Sequence, residues 1–383
     1  MLGEAAIDET DWSRCFHAYT VATDTPGALR LLIPSAGRPP SEREVDEALH
    51  HLEVAVLHQG TIYPATAPSI RFLIGMVDEP TWRAEYRDGT ILGTMLGFIG
   101  EAGESLSQRP ADETDPPPLD PIVVARHFER RATGAPGRDD DPGVGHALMV
   151  QGRADLDAAS GEVTAALVPF VTDHDPQIRR TALAAVGWWG ARPAAGERRG
   201  EVIDAVTQAA HGTDRDERAN AVLALAGLGG DTTAWLDDGD PAIRACAALD
   251  LPHDPRATEE LVEALLRPTE VDAWFVERPA RFWGHVRFDL LASLLARGLP
   301  FERILPAALA LVGPDVLVSG DNDWGPLLRA AFPDVVFEPG VRPPAPTDLT
   351  NAQRAFLQAL VDRDDVWRPR DGNARLNRMR VGL

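Results

Sequence analysis

The stretch DHDPQIRRTALAAVGWWG, residues 173–190, indicates the fold of this chain more directly than any other part of it. Asp175 precedes Pro176, which is the order of an N-cap residue followed by a proline in the first helical turn. Apolar positions then recur with the spacing of one helix face, at Ile178, Ala182, Ala185 and Trp189. The stretch therefore predicts an α-helix whose buried face consists mainly of small residues.

The pattern of this stretch returns twice farther along the chain. In each copy an aspartate precedes an arginine by four residues, and an alanine follows the arginine by three. The three copies are Asp175–Arg179–Ala182, Asp214–Arg218–Ala221 and Asp240–Arg244–Ala247. The steps between the arginines are 39 and 26 residues, and the first is a normal length for a two-helix repeat.

The repeated spacing has a structural explanation. An aspartate at the N-cap accepts a hydrogen bond from a first-turn N–H, which stabilises a helix by about 1 kcal/mol. A two-helix unit cannot bury its apolar face alone, so such units stack. We expect the aspartate of one unit to meet the arginine of the next and to form a structural ladder. A shared anion site is the weaker interpretation, because no catalytic residue accompanies the spacing.

These segments resemble a known family. DPQIRRTALAAVG and DPAIRACAALDL resemble the second helix of HEAT repeats, and this likeness covers roughly 160–270. A wider group of actinobacterial HEAT-repeat proteins is similar to the segments at 12–32, 58–73, 323–333 and 349–367. The resemblance implies an armadillo-like α-solenoid, a right-handed α–α superhelix, and implies no particular biochemical activity. The 26-residue step departs from a regular array.

Helix-start signals and a missing strand pattern favour an all-α chain. Ser41 with Glu44 and Thr350 with Gln353 have capping-box spacing, and Thr25 stands before Pro26 as a cap. Sustained two-residue alternation with hairpin turns is missing.

Two proline-rich, acidic stretches, 104–121 and 133–145, interrupt the helical pattern. They predict a flexible linker over 104–145, between helical repeats at 1–103 and further HEAT-like repeats at 146–383.

The composition narrows the range of functions. The formal net charge is −22, which disfavours nucleic-acid binding and favours a basic partner. All 37 basic residues are arginines, so chemistry that needs a lysine is excluded. Two cysteines cannot form a disulfide framework, which favours a reducing cytoplasm. The first residues lack the pattern of a signal peptide, and no apolar run is long enough to span a membrane.

The sequence contains no recognisable catalytic, cofactor-binding or metal-binding motif. The sequence has no nucleophile elbow and no phosphate-binding loop, so we predict no catalytic residue and no cofactor. His51 and His58 are seven residues apart, too far to share one ion on a helix, so we predict no metal site. His58 is instead expected to bond a backbone carbonyl, and Asp323 to cap the helix that follows it.

Tryptophans stand out among the few aromatic residues, and an exposed tryptophan is typical of a binding hot spot. The alternative for Trp188 and Trp189 is that both fill the core between repeats. Our candidate binding residues are Trp188, Trp189, Trp235, His58, Tyr63 and Trp324.

These features favour a non-catalytic scaffold that binds a protein or peptide, and the acidic charge favours a basic one. One alternative is a small-molecule enzyme of the lyase or isomerase type, with acid–base groups from His17, Tyr19, His58 and Tyr63. Another is an immunity protein that neutralises a basic toxin. The identity of the partner, the oligomeric state and the continuity of the two helical parts stay open.

Overall fold

The computed structural model describes residues 2–108, 119–133, 142–192, 196, 199–335, 343–367 and 372–383. Within these residues the chain is all-α, as the sequence predicts. A two-stranded antiparallel hairpin, β1 (Glu85–Tyr86) with β2 (Gly89–Thr90), is the only sheet in the described chain. None of the described helices is long and apolar enough to cross a membrane.

The helices fall in two compact units. The N-terminal unit comprises Met1–His211 with Gly227–Gly230, and the C-terminal unit comprises Gly212–Ala226 with Asp231–Leu383. The first ten helices are α1 (Glu4–Glu9), α2 (Thr25–Arg30), α3 (Glu42–His51), α4 (Thr66–Ile74), α5 (Ile91–Ser107), α6 (Pro121–Ala132), α7 (Pro142–Ala158), α8 (Ser160–Leu167), α9 (Pro176–Trp189) and α10 (Arg199–Ala210). The others are α11 (Arg215–Gly227), α12 (Pro241–Ala248), α13 (Pro255–Leu265), α14 (Pro268–Asp272), α15 (Val286–Ala296), α16 (Phe301–Leu311), α17 (Trp324–Ala331), α18 (Asn351–Val361), α19 (Asp364–Trp367) and α20 (Gly372–Arg380).

The opening stretch forms α9, as its sequence predicts. Asp175 is the N-cap residue, and its carboxylate accepts a hydrogen bond from the backbone N–H of Gln177 at 2.8 Å. The predicted apolar face is buried, at Ile178, Ala182, Ala185 and Trp189. The capping boxes at Ser41 and Thr350 are also present.

Helices α5 and α9 form the main helix–helix contact of the N-terminal unit. Glycines on α5 allow this close approach. A Cβ atom on Gly100 would lie 3.4 Å from the Cβ of Ala185, and one on Gly103 would lie 2.6 Å from Nε1 of Trp189. Small residues on both helices therefore bring the two backbones close together.

This contact joins segments that precede and follow the predicted linker, so both belong to one compact unit. Residues 109–118 and 134–141 of that linker lie outside the described residues. Its other parts are mainly helical, because α5 continues to Ser107, α6 spans Pro121–Ala132 and α7 begins at Pro142. The partial burial of Glu104 and the burial of Ser105 and Leu106 explain why α5 runs past the predicted boundary.

The C-terminal unit is a succession of packed helices. Helix α12 packs against α13, and α13 also contacts α15 and α16. Helix α16 contacts α18, and α17 contacts α20. The aspartate–proline starts at Asp240 and Asp254 cap α12 and α13 through their side chains.

Candidate functional site

A cleft of about 640 Å³ opens in the N-terminal unit beside α2 and α3. This volume is within the range of small-molecule sites. Its polar lining includes His17, Tyr19, Asp24, Glu47, His50 and His51.

A main-chain hydrogen bond brings the segments that carry His17 and His51 together. The N–H of Ala18 donates to the carbonyl of Ala55 at 3.0 Å, which holds the turn at 17–20 against the segment after α3. That segment, Leu52–Val56, is a π-helical turn that continues α3. Wide turns of this kind are rare and often occur at functional sites. His17 and His51 thereby lie with their ring centroids 5.3 Å apart.

His17 has partners for both of its ring nitrogens and is only 2% exposed. Its Nδ1 accepts a hydrogen bond from the backbone N–H of Tyr19 at 3.2 Å. Nε2 lies 3.0 Å from Oδ1 of Asp24. Because Nδ1 is the acceptor, the neutral ring carries its proton on Nε2 and donates it to Asp24.

The start of α2 differs from its predicted capping. Asp24, not Thr25, is the N-cap residue, and no side chain caps this helix end. The Thr25 hydroxyl lies 2.9 Å from Nε2 of His51 instead. Asp24 and Thr25 thus both contact histidines, and for Thr25 the contact with His51 replaces the predicted capping bond.

The half-buried position of His51 favours the neutral form of its ring. Burial lowers its pKa below the usual value of 6.5, and the negative charge of Asp24 offsets part of that effect. A neutral imidazole keeps a lone pair, which is the form that binds metal ions or accepts protons. One ligand atom each from His17, Asp24 and His51 lie within 4.8 Å of one another.

Of the other residues considered for the enzyme alternative, Tyr19 and His58 lie near His17, and Tyr63 lies in a separate apolar cluster. Tyr19 lies between His17 and His58, with ring centroids 6.3 and 5.6 Å away. His58 has the predicted carbonyl partner, because its Nδ1 lies 2.9 Å from the carbonyl oxygen of Val54. Tyr63 packs against Phe16 instead, in a separate apolar cluster. Spacing along one helix could not predict the pairing of His51 with His17, because the two histidines belong to different segments of the chain.

Most of the predicted tryptophan anchors lie in the core. Trp189 is fully buried, and its Nε1 donates to the carbonyl of Ile99 at 2.8 Å. Trp235 and Trp324 are buried as well, and Trp188 is half-buried. The structure therefore corrects the expectation that these three buried indoles face a partner, since packing between helices covers them.

Two of the most exposed large apolar side chains in the described part of the C-terminal unit lie instead in the 273–285 loop, between α14 and α15, and a third, Leu317, lies between α16 and α17. Val276 is 97% exposed and Trp283 is 80% exposed. This tryptophan stands in the non-helical sequence RPARFWGH, which differs from the helical contexts of Trp188 and Trp189. Trp274 of the same loop is buried, however, so the non-helical context alone does not single out Trp283.

Contacts at both ends hold the 273–285 loop in place. The rings of Phe275 and Phe282 stack with centroids 6.1 Å apart. Asp216 accepts a hydrogen bond from the N–H of Glu277 at 2.6 Å. Arg281 pairs with both carboxylate oxygens of Asp250, at 2.5 and 2.9 Å. The loop therefore presents Val276 and Trp283 from a fixed backbone.

The predicted ladder has a different pairing in the structure. Arg218 of α11 pairs with Asp238 in the turn before α12, while Asp240 accepts from Arg215 at 2.6 Å. Arg244 of α12 continues the series to Glu260 of α13, at 2.9 Å.

The aspartates keep their capping role. Asp214 accepts from the N–H of Glu217, and Asp240 accepts from the N–H of Ala242. In the N-terminal unit, Arg179 donates to the carbonyl of Asp173 at 2.6 Å, which braces the turn before its own helix.

Asp289 of α15 gives the C-terminal unit a pH-sensitive group. Burial raises its pKa to about 6, although a hydrogen bond from the backbone of Trp283 works in the opposite direction. Since this folded-state pKa exceeds the ordinary 3.8, the folded chain binds the proton more tightly. Ionisation of Asp289 therefore lowers the free energy of unfolding as the pH rises from about 4 to 6, and this free energy stays lower above that range.

We expect Asp289→Asn to raise the melting temperature at pH 8 and to change it little at pH 4.5. The amide keeps an acceptor oxygen for Trp283 and removes the buried charge. Differential scanning calorimetry at both pH values measures the effect, and Asp315→Asn is the control at an exposed aspartate. An equal shift at the two pH values would show that ionisation of Asp289 is not the cause.

No protein-family model and no curated protein matches this chain. Among solved structures, the crystal structure of an engineered protein is similar over 94% of this chain and 88% of its own. The sequences are 14% identical and the TM-score is 0.33, a value at which the likeness carries no argument about fold or function.

Proposed function

We propose that this chain is a non-catalytic scaffold that binds a protein or peptide partner through the 273–285 loop. The observation that carries this proposal is the exposure of Val276 and Trp283 on a loop whose neighbouring aromatic rings are buried or stacked. Large apolar side chains in full contact with water gain free energy when a partner covers them. Tryptophan is also among the residues that contribute most to protein interfaces.

The fixed backbone of the loop strengthens this proposal. A loop that is already ordered loses little conformational entropy when it binds. Stacked rings and the Arg281–Asp250 pair supply that order here. The free energy that Trp283 contributes to binding is therefore not reduced by the cost of ordering the loop.

The negative charge of the chain favours a partner of positive charge. At a net charge of −22, the chain attracts a protein or peptide with basic residues around the contact. A basic toxin, as in the immunity alternative, is one partner of this kind. Association should weaken as salt increases, since salt screens the attraction between exposed charges.

We further propose that the helix pairs belong to HEAT-like repeats of a right-handed superhelix. Packing of α12 on α13 and the aspartate caps of both helices support this arrangement within the C-terminal unit. A superhelix of this type presents loops along its edges, where a partner can reach them.

The test is affinity capture from a lysate of the source organism at low salt, followed by a binding measurement with the protein identified. We expect Trp283→Ala to weaken that binding about 30-fold, which corresponds to a hot spot of about 2 kcal/mol. The melting temperature should change by less than about 2 °C, because the indole has few contacts to lose.

Ile122→Ala is the matched control, because it removes an exposed apolar side chain from the N-terminal unit. It should leave the affinity unchanged. The proposal is wrong if the captured protein binds the double variant Val276→Ser/Trp283→Ala as tightly as it binds the unaltered chain.

A further inference from the structure

We propose that His17, Asp24 and His51 form a binding site for a divalent transition-metal ion such as Zn²⁺. This site lies in the N-terminal unit and does not depend on the partner-binding function proposed above. Two imidazoles and one carboxylate are a common set of ligands for zinc and for other first-row metals. The proposal rests on the convergence of these three side chains at the cleft.

The distances between the ligand atoms are close to those that an ion requires. Zinc binds nitrogen and oxygen ligands at about 2.0–2.2 Å, so the ligand atoms of a tetrahedral site lie about 3.5 Å apart. The ligand atoms of the three residues are within 4.8 Å of one another, and the closest pair, His17 Nε2 and Asp24 Oδ1, is 3.0 Å apart. Shifts of about 1 Å in the side chains would complete the geometry.

Asp24 is the residue that can supply most of this movement. Its side chain is 57% exposed and makes no capping bond to α2. His17 is held in place by its burial and by the turn at 17–20. The site thus combines a buried ring with an exposed carboxylate whose rotamer can change.

The contact between Thr25 and His51 resembles the outer contacts that orient metal ligands. The Thr25 hydroxyl is buried and lies 2.9 Å from one ring nitrogen of His51. In the described chain, the other ring nitrogen of His51 has no hydrogen-bond partner. The His51 ring is therefore oriented by Thr25, and its other nitrogen can act as a metal ligand.

The proton on His17 must move when the ion binds. Coordination through Nε2 transfers the ring proton to Nδ1, and the hydrogen bond from the N–H of Tyr19 then opens. That bond is long, at 3.2 Å, and part-buried. One weak hydrogen bond is lost, whereas the ion gains a coordination bond.

Three protein ligands leave a fourth position of a tetrahedral ion open. All three residues line the cleft, so this position faces a space of about 640 Å³. A water molecule, or an oxygen atom of a bound carboxylate or carbonyl compound, has the right chemistry to fill it. Glu47 and His50 lie in the same cleft outside the ligand set.

The test uses the full chain, treated with a chelator and without an affinity tag, and Zn²⁺ alone as the probe. Titration calorimetry should detect one tight site. Asp24→Asn and His51→Gln should each weaken it at least about 100-fold, since even the loss of an outer contact costs about 10–100-fold. His50→Gln is the matched control, because it removes a cleft histidine that is not a ligand. It should bind Zn²⁺ as the unaltered chain does.

A second measurement separates this site from the acidic surface. Co²⁺ in a site with imidazole ligands and low symmetry gives visible absorption, which should be lost in Asp24→Asn and His51→Gln. Circular dichroism checks that each variant is folded. The proposal is wrong if the unaltered chain binds no Zn²⁺, or if all three variants bind it equally, as surface carboxylates would.

Discussion

Trp189→Ala is expected to destabilise the N-terminal unit by about 3–5 kcal/mol, the usual cost of removing a buried aromatic side chain. Trp189 is 0% exposed at the contact between α5 and α9, where Gly103 leaves room for its indole. The substitution opens a cavity there. It also removes the hydrogen-bond donor for the carbonyl of Ile99, which is 2.8 Å from Nε1.

Hydrogen–deuterium exchange of peptides from α5 and α9 measures this loss locally, which suits a chain of two compact units. Trp188→Ala is the control, because the neighbouring indole is only half-buried. We expect it to cost less than half as much. Equal losses in the two variants would contradict the packing described for Trp189.

Arg287→Met is expected to destabilise the C-terminal unit by about 3–5 kcal/mol, because it leaves buried negative charge without its partner. Arg287 is 2% exposed, and its guanidinium contacts Asp272 and the carbonyl of Leu317. It also lies 3.4 Å from Asp323, which is 0% exposed. Burial raises the pKa of Asp323, and the positive charge of Arg287 counteracts this rise.

The double variant Arg287→Met/Asp323→Asn should regain part of the lost stability, since it removes both charges of this pair and leaves Asp272 with its contact to His285. Thermal unfolding of the single and double variants gives the coupling between the two residues. If the double variant loses as much stability as the sum of the two single variants, the two charges do not interact.

The role of Asp323 depends on residues that are distant in the sequence. The sequence predicts that Asp323 caps α17, and the residue is at the N-cap position. Its carboxylate instead accepts from the N–H of Ser319 at 2.8 Å and contacts Arg287. The N-cap position of Asp323 depends on neighbouring residues and was predictable. Its contact with Arg287 was not predictable, because that arginine is 36 residues away in the sequence.

The same difference holds for the fold and for the candidate sites. The start and buried face of α9 were predictable, because spacing within one helix determines them. The close packing of α5 on α9 was not, since nothing near Trp189 identifies Ile99 as its partner. For the cleft, the sequence identified His51 and His58 but could not show that the rings of His17 and His51 lie with their centroids 5.3 Å apart.

The backbone contact between Ala18 and Ala55 has a consequence for comparing distant chains. This contact holds His17 near His51 through main-chain atoms, so most side chains at the half-buried position 18 would preserve it, whereas the buried position 55 favours a small one. Proline at position 18 is the exception, because it has no N–H to donate. Divergent sequences can therefore retain this cleft while changing the residue at position 18, and the spacing of two histidines and one aspartate would identify it better than overall identity.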